Sequence, residues 1–135
     1  MFEIKLQTYW SDADAAGIVF YANYFRLIEQ AEEELFRSAG VNRTALLAEN
    51  HVWMPRVEAY SKFLRPIRLG ATVRVRLYPE LKGEKAVRYD FQFLDESAEE
   101  KIAEGYVAVV CVDAATFKAR PIPDVIKKTI HRSSE

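Results

Sequence analysis

The spacing of hydrophobic and polar residues changes period along this chain. At the start, Phe2, Ile4 and Leu6 alternate with Glu3, Lys5 and Gln7, and Trp10 keeps the phase. A period of two is that of a half-buried strand. From Tyr24 the period lengthens. Tyr24, Leu27, Ile28, Ala31, Leu35 and Phe36 recur at helical spacing, while Arg26, Glu29, Glu33 and Arg37 take other faces. Gly40 follows the last periodic residue, where a glycine cap would sit. The pattern predicts one helix over residues 21–39, longer than any other in the chain. Asn42 is placed to cap a short second helix over residues 43–49.

The period then returns to two. Residues 52–64 are mixed, and Pro55 excludes a regular central strand there, so a strand broken or bulged near Pro55 is expected. Val73, Val75 and Leu77 alternate with Arg74, Arg76 and Tyr78. After a turn at Lys82-Gly83-Glu84-Lys85, Val87, Tyr89, Phe91 and Phe93 alternate with Arg88, Asp90 and Gln92. These two runs predict a long hairpin with one dry face. Residues 102–112 are apolar on both faces in the middle, which predicts an inner strand. Pro121 and Pro123 precede a last helix over residues 124–131. Its acid at the start and Lys127, Lys128 and His131 near the end suit the helix dipole. The expected architecture is α+β: one long central helix against a five-stranded antiparallel sheet, in a single domain over residues 1–135. Exposed edge strands in such a sheet invite pairing, so a dimer is expected.

Composition narrows the function classes. The formal net charge is −1, which implies no general attraction to nucleic acid or anionic membrane. No apolar run approaches the ~20 residues of a membrane span. The opening MFEIKLQ lacks the basic and apolar regions of a signal peptide, so a cytoplasmic location is expected. The lone Cys111 lies inside YVAVVCV and is read as a small buried hydrophobe. His51 and His131 are too few and too far apart for a metal cluster or a triad. The chain carries no Walker-type phosphate loop, no Rossmann fingerprint and no nucleophile elbow. Neither a metal nor a cofactor is implied.

Carboxylates must then carry any chemistry, and Asp12 and Asp14 are the candidates. They stand two apart in a loop before the long helix. A helix start bears unpaired N–H groups and a partial positive charge. Such amides hold a developing oxyanion, and a carboxylate beside them supplies a nucleophile or a general base. Gly17 lets the chain turn between the two. The same two aspartates are also ordinary turn formers and helix caps. Spacing alone leaves both readings open.

The stretch SDADAAGIVFYANYFRLIEQAEE resembles the signature of the hotdog-fold acyl-CoA thioesterases of the 4-hydroxybenzoyl-CoA thioesterase type and the related Tol-Pal-associated branch. The matching residues are Asp12, Asp14, Gly17, Val19, Tyr24, Glu29 and Ala31. VVCVDAATFKARPIP, residues 109–123, is similar to the family's last strand and tail. The resemblance implies a helix wrapped by an antiparallel sheet, and two subunits joined edge to edge with the active site between them. It further implies a homo-oligomer, a dimer or homotetramer. Asp14 would be the catalytic carboxylate, the Tyr21 N–H would polarise the thioester carbonyl, and Asp12 would hold the loop. The Tol-Pal branch usually has histidine in place of Tyr21, and Glu-Arg-Ala-Arg where this chain has Glu29-Gln30-Ala31-Glu32.

Lys82 and Lys85 are similarly placed to a basic cluster that meets the coenzyme's phosphates in the family. A solvated turn is their alternative. Trp53 and Met54 are candidates for an acyl pocket, with core packing as the alternative; Tyr60 and Phe63 share that choice. The expected activity is hydrolysis of a small or aromatic acyl-CoA. An idle acyl-binding or scaffold hotdog protein, and a thioesterase for acyl carrier protein, are the rival readings. A hotdog dehydratase would need a histidine paired with an acid near the helix, and neither histidine stands so.

Overall fold

The computed structural model describes residues 1–134. Strand β1 (Phe2–Gln7) leads through a short 3-10 turn (Trp10–Asp12) into helix α1 (Asn23–Ser38) and helix α2 (Arg43–Glu49). Strands β2 (Val52–Trp53), β3 (Arg56–Phe63), β4 (Thr72–Lys82), β5 (Ala86–Asp95), β6 (Lys101–Val110) and β7 (Val112–Asp113) follow, and helix α3 (Asp124–Ser133) ends the described chain. The main sheet is five-stranded and antiparallel, in the order β1-β4-β5-β6-β3. The chain breaks at Met54 and Pro55, and β2 turns away to pair with β7 as a separate ribbon.

Alternation sets the inner face of the sheet. Val87, Tyr89, Phe91 and Phe93 of β5 are buried, while Arg88, Asp90 and Gln92 between them are partly open. Helix α1 lays Leu27, Ile28, Ala31, Leu35 and Phe36 onto that face. Burying each such large side chain stabilises by about 1.5–3 kcal/mol. The Tyr24 ring meets the Phe93 ring edge-on at 5.2 Å, and Phe25 meets Phe91 at 6.4 Å. Cys111 is buried in the same core, and its burial raises the thiol pKa.

Three details depart from the periodic reading. Helix α1 begins at Asn23 rather than Tyr21 and stops at Ser38 rather than Ala39. Its first position is claimed by a tertiary contact: the Asn23 side-chain amide donates to the Asp12 carbonyl at 2.9 Å, so Tyr21 stays in the preceding turn. Trp10 does not continue β1; it is 85% exposed on the 3-10 turn, because β1 loses its partner at Gln7↔Thr72. The inner strand β6 ends at Val110, and Val112 joins the ribbon with Trp53 instead.

One glycine permits the edge. A Cβ on Gly105 of β6 would lie 1.9 Å from the Tyr60 carbonyl oxygen and 2.9 Å from the Phe91 ring. Only a residue without a side chain lets β3 curl this closely over β6.

Candidate active site

The loop between β1 and α1 is built around Asp12. Its side chain is 1% exposed. The Tyr9 N–H donates to Asp12 Oδ2 at 2.8 Å, and Arg26 of α1 forms an ion pair with Oδ1. The Asp12 carbonyl accepts from the Phe20 N–H at 2.8 Å as well as from Asn23. Both ends of the loop are thus tied to one residue, and Asp12 is spent on structure.

Asp14 sits differently. It is exposed, and its Oδ1 accepts only the local Ala16 N–H at 2.8 Å among the bonds of the described residues. The backbone holds it in place: its N–H donates to the Ile18 carbonyl at 2.9 Å, and its own carbonyl accepts from Gly17 at 3.1 Å. Gly17 closes this turn with φ +76°, a left-handed conformation that other residues rarely take. The Val19 N–H donates to the Ile67 carbonyl at 2.8 Å and fastens the loop to the chain after β3.

Asp14 and Tyr21 line one cleft of about 400 Å³, with Ile18, Tyr24, Phe63 and Arg65. Among the described residues no protein acceptor meets the Tyr21 N–H, and no side chain caps the start of α1. Asp14 and the residue that carries this unpaired amide, in the turn just before α1, therefore line one cavity. Phe20, Tyr21, Phe63 and Leu64 leave large apolar surfaces exposed around it.

The remaining predicted residues stand elsewhere. Trp53 and Met54 line a second cleft of about 350 Å³ with Glu29, Arg43 and Arg56. Met54 also packs on the core, whereas Trp53 is largely exposed. Lys82 pairs with Glu80 at 3.0 Å, and Lys85 is exposed in the hairpin turn. Both lysines lie at the Arg56 end of the sheet, since Arg56 pairs with Val109, Val109 with Val87, and Val87 with Leu81. The Asp14 cleft lies at the Phe63 end. Seven residues of extended strand separate the two ends, roughly 23 Å. Within one chain, then, Asp14 and Tyr21 are together, and Trp53, Met54, Lys82 and Lys85 are not with them. Tyr60 lies on the opposite face of the sheet from α1, ring to ring with Tyr106 at 5.7 Å.

Sequence reasoning missed Glu32. It lies on the apolar face of α1, one turn after Ile28, and its side chain is 4% exposed. Arg43 and Arg56 both form ion pairs with it. Burial, with the Glu32 charge beside it, holds the Tyr89 phenol pKa well above its ordinary value. The signal was available as a charge at a buried helical position, but its partners lie 11 and 24 residues away. No group of three or more His, Cys, Asp or Glu among the described residues is arranged to hold a metal ion.

Fold and site define a class. Residues 8–130 match the Thioesterase-like superfamily. The chain belongs to that superfamily and is a thioester hydrolase with the hotdog fold. It is 30% identical over 130 residues to the acyl-CoA thioester hydrolase YbgC of Escherichia coli O6:H1, covering 93% of this chain and 92% of the relative. It is 29% identical over 117 residues to a 1,4-dihydroxy-2-naphthoyl-CoA hydrolase of Nostoc punctiforme, covering 87% and 78%. Among solved structures, the gentisyl-coenzyme A thioesterase BH1999 superposes with a TM-score of 0.79 at 26% identity, covering 93% and 98%. Slr0204, a 1,4-dihydroxy-2-naphthoyl-CoA thioesterase from Synechocystis, superposes at 0.90 with 21% identity, covering 96% and 95%. No helix among the described residues is long and apolar enough to cross a membrane.

Proposed function

We propose that this protein hydrolyses the thioester of a small or aromatic acyl-CoA, with Asp14 as the catalytic carboxylate and the Tyr21 N–H as the oxyanion donor. The observation that carries this reading is their shared cleft, with the Tyr21 amide free of protein acceptors. The named relatives act on acyl-CoA thioesters, which supports the same substrate class here. A thioester carbonyl seated at the Tyr21 N–H is polarised by that amide and by the helix dipole. Asp14 then acts in one of two balanced ways. As a base it takes a proton from water, the hydroxide adds to the carbonyl carbon, and the tetrahedral oxyanion collapses with loss of the thiolate. The thiolate then takes the proton back from Asp14. As a nucleophile, Asp14 forms a mixed anhydride and expels the thiolate, and water opens the anhydride. A thiol of pKa about 8.5 leaves readily in either case.

The working unit in this reading is a homo-oligomer. Strand β3 is an uncovered sheet edge, exposed along nearly its whole length. Antiparallel pairing of β3 with its copy about a two-fold axis is isologous. It sets the Arg56 end of one protomer against the partner's Phe63 end, so Trp53, Met54, Lys82 and Lys85 come to the partner's Asp14. It also covers the apolar rim around that cleft. In this arrangement Lys82 and Lys85 meet the coenzyme's phosphates.

The test is Asp14→Asn, which removes the charge and keeps the size. kcat on benzoyl-CoA should fall about 10²–10⁴-fold, the range for a lost general base, with the melting temperature unchanged. Asp12→Asn should act through the loop, lowering stability along with rate. An Asp14→Asn enzyme at native rate refutes the assignment. Native protein that binds acyl-CoA and cleaves neither it nor acyl carrier protein thioesters is a binding protein instead. Label from ¹⁸O-water found in the Asp14 carboxylate after a single turnover marks the anhydride route with water attacking the Asp14 carbonyl.

A further inference from the structure

The outer face of the sheet, opposite α1, carries a further cleft of about 370 Å³ lined by Tyr60, Lys62, Tyr78, Arg88, Asp90 and Tyr106, among others. Strand register puts four of these in one row across the sheet. Tyr78 of β4 pairs with Asp90 of β5, Asp90 with Tyr106 of β6, and Tyr106 with Tyr60 of β3. The Tyr60 and Tyr106 rings lie 5.7 Å apart, and Tyr60 and Tyr78 are exposed.

Arg88 is held as a flat plate on this row. Its Cζ lies 3.9 Å over the centre of the Tyr106 ring. Its Nε and Nη2 both donate to Asp90 Oδ1, at 3.3 and 3.2 Å. The ring and the carboxylate fix the plane, and one face of the guanidinium is left to stack. Tyr78 and Tyr106 stand two strand spacings apart, roughly 10 Å. The guanidinium takes up 3.9 Å of that span, which leaves room for one planar ring.

Charge gives the cleft a direction. On one side of the tyrosine row, register aligns Glu58, Ala108, Arg88 and Glu80. On the other it aligns Lys62, Glu104, Gln92 and Arg76. Glu104 pairs with Lys101, and Arg76 with Glu3 and Glu99. Lys62 pairs with no acid among the described residues. The unspent cation thus lies two residues along the strand from the stacking row, roughly 7 Å away. A benzoate carries its carboxylate on the ring itself and does not span that step. A nucleotide does, with its base on the row and a phosphate at Lys62.

We propose that this outer face is a nucleotide site, in which Arg88 stacks on a purine base and Lys62 takes a phosphate. Two sources share this chemistry. One is the adenosine end of the coenzyme, since Tyr78, Glu80 and Lys82 alternate onto the same face of β4; this source rests on the acyl-CoA reading above. The other is a free nucleotide.

The experiment titrates AMP, adenosine and benzoate by calorimetry into native protein, Arg88→Ala, Arg88→Lys and Lys62→Ala. AMP binding should weaken about 10-fold or more in Arg88→Ala, as for a lost base-stacking contact. Arg88→Lys keeps the charge without the plane and should weaken it nearly as much. Lys62→Ala should weaken AMP more than adenosine, and benzoate should show no Arg88-dependent binding. Thermal melting confirms that the variants are folded. The ratio of kcat/KM for benzoyl-CoA to that for benzoyl-pantetheine tells the sources apart. A ratio that falls about 10-fold in Arg88→Ala assigns the site to the coenzyme, and a ratio that holds while AMP binding depends on Arg88 assigns it to a free nucleotide. If no thioester is cleaved, the proposed reaction falls and the AMP titration still decides the site. AMP that does not bind native protein at millimolar concentration overturns the site, as does AMP bound equally well by Arg88→Ala and Lys62→Ala. A sedimenting mass that drops in Arg88→Ala, with no AMP bound by native protein, makes this face a contact between copies and overturns the site too.

Discussion

Replacing Glu32 by alanine probes the one buried charge that ties α1, α2 and β3 together. The carboxylate is nearly inaccessible, and its loss strands Arg43 and Arg56. Removing one partner of a buried ion pair costs about 3–5 kcal/mol. Two features place this site at the lower end. Arg43 keeps a second partner in Glu33 at 2.9 Å, and Arg56 is exposed enough to turn to water. A loss of about 3 kcal/mol is expected. With an unfolding entropy of about 2.1 cal/mol/K per residue, that lowers the melting temperature by roughly 10 °C. Glu32→Gln keeps an acceptor and loses the charge, so it should fall between. Because the pair is buried, the deficit should persist in 0.5 M salt, where exposed pairs are screened. Circular dichroism melts with urea unfolding at pH 7 measure both. An alanine variant melting within 2 °C of native protein would show that the cluster contributes no net stability.

Gly105→Ala should destabilise strongly, since its Cβ would overlap the Tyr60 carbonyl and force β3 off β6; hydrogen exchange should report faster opening of β3 than of β4. Tyr89, Tyr24 and Tyr106 have phenol pKa values above the ordinary 10, led by burial for the first two and by the hydrogen bond to Glu58 for Tyr106. The folded state thus keeps protons that the unfolded state loses, so stability is intact below pH ~10 and declines as pH rises beyond it. Urea midpoints between pH 8 and 11 should show this decline, and Tyr89→Phe should flatten it. Lys82→Ala and Lys85→Ala should raise KM for acyl-CoA more than they lower kcat, because a remote phosphate contact is largely uniform binding; unchanged KM in both returns these lysines to a solvated turn.

Local spacing carried much of this protein. Periods of two and 3.6 residues locate β4, β5 and most of α1, because each element's own geometry decides which side chains share a face, and the Asn42 cap locates α2. The Asp12–Asp14–Gly17 loop was legible for the same reason: its turn and its exposed carboxylate are made within a few residues. Other features needed the whole fold. Trp10 matches the phase of β1, yet it lies beyond the last pair with β4, and pairing rather than alternation ends a strand. The start of α1 shifted to Asn23 because the Asp12 carbonyl, 11 residues earlier, captured its side chain. Glu32 resembles any other helix glutamate until Arg43 and Arg56 arrive from α2 and β3. A buried charge is tolerable only with such partners, and partners brought from distant segments leave no periodic trace in sequence. The separation of Asp14 from Trp53, Met54, Lys82 and Lys85 is likewise a property of sheet register, set by the pairing of β3 through β6 and β5 to β4.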